Sequence, residues 1–356
     1  MVLKPPPNNG GFSLSIKIKS NWYIILRRPS LKVAFIIYTK LIGASMSERM
    51  ISDMVDYIQK TPSNNYKAEI IADTLDPFTK KRITSVQVTF PRAILPQLNT
   101  HGALARSASS TRAIPTKRYI EDLVANTAEP LVWLLNEPGM QGYTEADSEK
   151  ASRCKTIWYE ARDKMIELAQ QLADEGIHKE YVNHLLNPFV LSRVIITATE
   201  WDNFFKLRIH EAAQPGFIKL ASLIKQAMDS STPDISDIHA PYLTDEEHAE
   251  MIGAVKQCNY VYAFSFLKIS AARCARVSYL NHDGNKTTIE QDLNLYKRLI
   301  EADPMHASPS EHVAISLTRL NWMKKNYFKE SDCRRLRGLV PLRVIAENPE
   351  TRKIWL

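Results

Sequence analysis

Residues 68–90 read AEIIADTLDPFTKKRITSVQVTF, and this stretch decides the class of fold. Residues 68–73 have the composition of a strand. Asp76, Pro77, Lys80 and Lys81 then supply a turn. From 83 to 90 polar and apolar residues alternate, with Val86, Val88 and Phe90 on one face, the period of a strand with one buried side. Two strands joined by so short a turn predict a hairpin. Pro91 ends the pairing, and residues 93–104 are compatible with a helix.

Downstream the period changes from two to three and four. Trp158, Ala161, Met165, Leu168 and Leu172 predict a helix over 150–176, with Gly176 as its stop. Further helices are expected over 200–207, over 215–228, and over 244–255 behind the capping box Thr244-Asp-Glu-Glu247. Ile289, Leu293, Tyr296 and Leu299 mark one more. Ser230-Ser-Thr-Pro-Asp234 is loop-like.

Upstream the texture differs. Residues 1–65 open on Pro5-Pro-Pro-Asn-Asn-Gly-Gly11 and show no long amphipathic period. A helix is expected over 47–59, with Ser47 as its cap. The segment is expected to be an extension outside the catalytic fold, dispensable up to Met46. Its apolar run Val33-Ala-Phe-Ile-Ile-Tyr38 follows the basic Leu26-Arg-Arg-Pro29 but has no small-residue cleavage site, so a signal peptide is not expected.

Of the 356 residues, 44% are hydrophobic and 24% charged, which allows a sizeable core and excludes fibrous or disordered classes. The net charge of +7 favours anionic partners: nucleic acid, a membrane surface or phosphorylated small molecules. No apolar run approaches the roughly 20 residues that span a bilayer. The four cysteines, Cys154, Cys258, Cys274 and Cys333, have no CxxC spacing; reduced thiols, no metal site and a cytoplasmic location are expected.

Three constellations carry chemistry. The first is Gln97-Leu-Asn-Thr-His-Gly-Ala-Leu-Ala-Arg-Ser-Ala-Ser-Ser-Thr-Arg112. Its hydroxyls, guanidinium groups and small residues suit a nucleotide phosphate, although composition alone favours a solvated loop. The second is Ala198-Thr-Glu-Trp-Asp-Asn-Phe-Phe-Lys-Leu-Arg208, followed by Ala212-Ala-Gln-Pro215. On a helix, Trp201, Phe204, Phe205 and Arg208 share one side; such an aromatic stripe is usually core. The third is Ala271-Ala-Arg-Cys-Ala-Arg-Val-Ser278 with Asp303-Pro-Met-His-Ala-Ser-Pro-Ser-Glu-His312. Its histidines lack His-Glu-x-x-His spacing, so a capped loop with a structural histidine is the plainer interpretation.

Together these segments resemble the flavin-dependent thymidylate synthases in their phage-like form. Phe90-Pro-Arg, Leu98-Asn-Thr-His and Ser109-Ser-Thr-Arg-Ala-Ile-Pro115 resemble the family's signature, Arg-His-Arg-x-x-Ser-x-Asn-x-x-Ser-x-Arg. The segment from Glu200 to Arg208 with Ala213-Gln-Pro215 resembles its second ligand-binding helix. Ala275-Arg-Val-Ser278 and Ser308-Pro-Ser-Glu-His312 resemble its Ala-Arg-Val-Ser and Pro-Phe-Glu-His segments, in permuted order. The resemblance spans roughly residues 66–320.

What the resemblance implies is a mixed α/β (α+β) fold, a central sheet flanked by helices, over residues 66–356. It implies reductive methylation of dUMP to dTMP with FAD, NADPH and 5,10-methylenetetrahydrofolate, in a cytoplasmic homotetramer of a bacterium or phage-infected host that shares sites between subunits. No side chain need act as a covalent nucleophile; the protein binds and orients. By resemblance Gln97, Ser109, Ser110, Arg112, His184 and Arg208 would hold dUMP. His101, Asn203, Leu207, Arg208, Ser278 and His312 would contact FAD.

The chain departs from the family pattern at several places. Gly102 stands for Arg, Ala105 for Ser, Ser107 for Asn, and His184 for a common Arg. Gly216 and Phe217 replace Glu-Ile, and Ser310 replaces Phe. Each change removes a charge, a hydrogen-bonding group or an anchor, which predicts weak flavin retention. Two rival readings remain. One is a degenerate homologue without turnover. The other is a basic nucleic-acid-binding protein, resting on Lys324-Lys325 and Arg334-Arg-Leu-Arg337.

Overall fold

The computed structural model describes residues 13–18, 22–27, 48–277, 286–323 and 327–355. The chain divides into two units, residues 1–56 and 57–356. The first contains an antiparallel pair, β1 (Ser13–Ile18) and β2 (Trp22–Arg27), with Ser13 opposite Arg27. The helix Glu48–Lys60 spans the division. Ser47 as a cap and the apolar run 33–38 lie outside the described residues.

The second unit is mixed α/β. Its centre is a five-stranded sheet of β3 (Lys67–Leu75), β4 (Arg82–Pro91), β5 (Ala105–Ala108), β6 (Leu191–Ala198) and β7 (Asp234–Ile235), in the order β5-β6-β4-β3-β7. Only β3 and β7 run parallel. A smaller antiparallel sheet has the order β10-β9-β8, from β8 (Ile238–His239), β9 (Ala314–Ser316) and β10 (Leu339–Pro341). Among the described residues no helix is long and apolar enough to cross a membrane.

The β3–β4 hairpin forms where the alternation predicts it. Its turn is fixed by buried Asp76, whose carboxylate accepts from the amide of Thr79 at 3.0 Å and its hydroxyl at 2.5 Å. Lys80 follows with φ +57°. One face of the sheet carries Val86, Val88, Phe90, Val194 and Ile196 against Phe217, Leu220 and Ile224 of the helix Pro215–Asp229. Each such side chain contributes about 1.5–3 kcal/mol on full burial. The other face carries Ile195 against Tyr242 and Cys274, and Ile83 against Ala314 and Leu339. The sheet is therefore covered on both sides.

Two expectations need correction, and two elements were not expected. The helix over 93–104 is only Leu95–Asn99 after a 3-10 turn. The Thr100 hydroxyl bonds the Gln97 carbonyl at 2.8 Å and the chain turns, so Leu104 reaches the core while Gly102 stays exposed. The long helix, Ser148–Asp174, packs through Trp158, Met165, Ile166 and Ala169, whereas Ala161 and Leu172 are exposed. Two large elements escaped the periodicity altogether: β6 and the helix Tyr260–Arg276.

Gly216 is sterically required. A Cβ there would lie 2.3 Å from the hydroxyl of buried Tyr66. Gly216→Ala is expected to destabilise by about 1–3 kcal/mol, the usual cost of overpacking. The double variant with Tyr66→Phe should recover most of that loss. Thermal melts of both variants check this; equal melting points for Gly216→Ala and wild type would contradict the packing.

Candidate functional site

The helix Asp202–Arg208 has two faces. Trp201 and Phe204 are buried, and Trp201 stacks on Phe205 with centroids 5.8 Å apart. Asn203 and Leu207 point outward. At the C-terminal end Arg208 turns back over the Phe217 ring, 4.5 Å from its centroid. Its Nε donates to Nε2 of His101 at 2.7 Å, joining residues 107 positions apart in sequence.

That bond fixes the imidazole. Arginine only donates, so Nε2 accepts and Nδ1 carries the hydrogen. Burial, then the charges of Arg208 and Arg106, hold the His101 pKa down to about 4. His101 is thus neutral, and it sits edge-on to Phe204 at 5.0 Å. Arg106 donates to its carbonyl. Burial also lowers the pKa of Arg208. Beside this group Gln97 Nε2 donates to Gln214 Oε1 at 2.7 Å, at the head of the helix Pro215–Asp229.

A second group forms around residues 109–115. The amide of Ser109 bonds the Arg193 carbonyl at 2.9 Å, extending the β5–β6 pairing by one step. The loop then meets the segment made of the short helix Lys179–Val182 and the 3-10 turn Asn183–Phe189. Arg112 pairs with Glu180 at 3.1 Å on the surface. Asn183, fully buried, donates to the carbonyls of Thr111 and Ile114 at 2.9 and 3.1 Å. His184 is exposed on the same turn. The structure therefore places Ser109, Ser110, Arg112 and His184 on adjoining segments, and His101, Gln97 and Arg208 in a group of their own.

His312 occupies a third place. It is fully buried, with Nδ1 2.8 Å from Thr197 Oγ1 and Nε2 3.0 Å from Ser107 Oγ. Thr197 Oγ1 is 2.5 Å from Ser85 Oγ. Ser85 is 2.8 Å from Nε2 of His239, whose Nδ1 is 2.9 Å from Thr74 Oγ1. Ser107, Thr197, Ser85 and Thr74 come from β5, β6, β4 and β3, four strands in spatial sequence. Both ring nitrogens of His312 are thus engaged inside the protein. Burial depresses both histidines to about 3. Ser278 lies outside the described residues.

The basic cluster is largely neutralised. Arg334 pairs with Glu347 at 2.6 Å, Arg335 with Glu311 at 3.3 Å, and Arg343 with both glutamates. Lys324 and Lys325 lie outside the described residues. Sequence reasoning missed Asn183, Glu180 and His239. None of them sits in a motif, and a single His between Ile238 and Ala240 carries no sequence signal.

No family model matches the sequence, and no curated protein matches it. Among solved structures the chain is similar to the UMP/dUMP methylase PolB from Streptomyces cacaoi bound with 5-Br UMP. The TM-score is 0.40 at 15% identity, over 47% of this chain and 90% of that one. The same methylase bound with 5-Br dUMP gives a TM-score of 0.33 at 17% identity, over 55% and 82%. Neither likeness is close enough to carry chemistry from one chain to the other.

The two buried histidines set an acid limit on stability. Their folded pKa lies below the unfolded value near 6.5, so the unfolded chain binds more protons. Stability is complete above about pH 6.5 and falls as pH drops toward 3. By pH 5 the loss is on the order of 2 kcal/mol per histidine. Carboxylates held low, such as Asp73 and Glu247, titrate in the unfolded chain only near pH 4. Urea unfolding at pH 7 and pH 5 should show the difference; identical midpoints would contradict it.

Proposed function

We propose that this chain binds dUMP and methylates it reductively, as a flavin-dependent thymidylate synthase. The observation that carries this proposal is the meeting of His101 and Arg208. They belong to two separate motifs of that family's pattern and lie 2.7 Å apart, with Gln97 and Gln214 alongside. Nothing in composition requires these motifs to converge.

Two tasks are proposed for the chain's own residues. The loop of Ser109, Ser110 and Arg112, with His184 nearby, takes the phosphate of dUMP: hydroxyls and a planar guanidinium match its oxygens. Gln97 orients the nucleotide and Arg208 faces the boundary between nucleotide and cofactor. His101, Asn203, Leu207 and Arg208 would hold FAD. The donor set suits a flavin edge, because it combines a partly desolvated cation, an outward amide and an apolar side chain. His312 has no ring nitrogen left for it and is assigned a structural part instead. The chemistry FAD supplies when bound is hydride transfer from NADPH to the one-carbon unit delivered by 5,10-methylenetetrahydrofolate. Arg208 would favour negative charge near the cofactor. A homotetramer is proposed as the working assembly.

Gly102 bears on how well this works. A Cβ at Gly102 meets nothing within 4 Å, so a long side chain can be accommodated there. Gly102→Arg together with His184→Arg is expected to raise FAD affinity and the rate of dTMP formation. The measurement is dUMP-dependent NADPH oxidation and dTMP production with saturating FAD. A wild type that gives no flavin spectrum with added FAD and no dTMP would overturn the proposal.

The phosphate loop is tested separately. Arg112→Ala should weaken dUMP binding by about 1–2 kcal/mol, since a charge-assisted pair is lost at an exposed site. FAD binding should be unchanged. Glu180→Gln frees Arg112 from its surface pair and should strengthen dUMP binding by up to about five-fold. Calorimetry with each ligand distinguishes these outcomes from a general loss of structure.

A further inference from the structure

Three carbonyls of the 109–115 loop are held by side chains of one neighbouring segment. Asn183 Nδ2 donates to the carbonyls of Thr111 at 2.9 Å and Ile114 at 3.1 Å. Lys179 Nζ donates to the carbonyl of Ala113 at 3.2 Å. A trans peptide is planar, so the carbonyl of one residue and the N–H of the next point in opposite directions. Anchoring the carbonyls of Thr111 and Ala113 therefore aims the amides of Arg112 and Ile114 away from the anchoring segment. Among the described residues no backbone acceptor is bonded to either amide. The peptide after Ile114 has no N–H, because Pro115 follows. The exposed Ser110 and Arg112 side chains stand on the same short loop.

Asn183 is costly as a purely structural choice. It is fully buried, and its Oδ1 has no hydrogen-bond partner. A buried amide oxygen without a donor is unfavourable, and the site adjoins an apolar cluster of Tyr119, Leu123, Val182, Leu186 and Phe189. An apolar side chain of similar volume would relieve that penalty but would leave the Thr111 and Ile114 carbonyls without a donor. What it would not supply is the pair of N–H donors.

We propose that Asn183 and Lys179 are positioning residues for phosphate: holding three loop carbonyls, they present the Arg112 and Ile114 amides and the Ser110 hydroxyl to the phosphate of the nucleotide. The inference rests on the proposal that this loop receives dUMP. Neither residue touches the ligand. They set which way the peptide dipoles point: the Ala113 amide is taken by the Ser110 carbonyl at 3.2 Å, and the Arg112 and Ile114 amides on either side of it are left to meet an anion.

The test compares dUMP with deoxyuridine, which lacks the phosphate, by calorimetry on the full chain. In wild type dUMP binds more tightly than deoxyuridine. Asn183→Leu is expected to lower dUMP affinity by about ten-fold, as a lost set of amide hydrogen bonds would, to leave deoxyuridine affinity unchanged, and to lower the melting temperature because two carbonyls lose their donor. Lys179→Met, at a half-buried position, should lower dUMP affinity by about three-fold with the same selectivity. If both variants bind dUMP and deoxyuridine as tightly as wild type, the inference is overturned while the phosphate loop stands. If dUMP and deoxyuridine weaken in proportion, the two residues are structural only and the inference is again overturned. If wild type itself does not distinguish dUMP from deoxyuridine, the phosphate loop falls and the inference falls with it. Should Asn183→Leu not fold, the same three outcomes are read from Lys179→Met alone.

Discussion

The hydrogen-bonded chain from Thr74 through His239, Ser85, Thr197 and His312 to Ser107 is the interaction on which the larger unit depends. Each neutral imidazole has one donor and one acceptor, and each hydroxyl has one hydrogen. The groups can all be satisfied with every donation running the same way along the chain. A polar line through a covered sheet then needs no water and no charge. It links four strands to each other and, through the two histidines, to the segments around β8 and β9. Its last member, Ser107, stands two residues before the loop of Ser109 to Arg112, so the loop's starting point is set by this chain. A proton added to either imidazole would place a charge in a fully buried site with no carboxylate bonded to it.

The departures from the pattern that the sequence resembles look different once their neighbours are known. Ser107, in place of Asn, bonds His312. Phe217, in place of Ile, supplies the ring under the Arg208 guanidinium. Gly216, in place of Glu, leaves room for Tyr66. The Ser310 hydroxyl, in place of a Phe ring, closes its own turn on the Ala307 carbonyl at 2.6 Å. These substitutions belong to local packing and are not simple losses. Gly102 differs: a Cβ there meets nothing within 4 Å, and the cations nearest in the bonding pattern, Arg106 and Arg208, are bonded to its neighbour His101.

The sequence was most legible where one face of an element meets water. The hairpin of β3 and β4, the capping box of Thr244 and Glu247, and the helix Ile289–Ile300 all follow from alternation, caps or stripe. It was least legible where burial is all round. The helix Tyr260–Arg276 buries ten residues on every side, so no stripe stands out. β6 lies between two partner strands, and its Val194-Ile-Ile196 run does not alternate because Val194 and Ile196 are buried on one face and Ile195 on the other. For the site, the motifs pointed to His101, Arg208 and Arg112 as residue types. They could not show that Arg208 leans on Phe217, that Glu180 occupies Arg112, or that His312 faces inward. The last two depend on contacts between segments 68 and 205 positions apart, and the first on how two consecutive helices pack.

The outer strand β3 has a consequence for solubility. Its pairing to β7 covers only Thr74 and Leu75, and among the described residues no strand pairs with the rest of that side. An open strand edge invites association with another copy by continued backbone pairing. Here the ladder is offset between Ile70 and Ala72, and the exposed positions Lys67 and Glu69 put charge along the margin. A bulge and flanking charges are the devices that stop a sheet from growing. The hairpin that organises the fold thus also carries its own guard against aggregation, and that guard lies on the side of the sheet away from β5 and the loop that follows it.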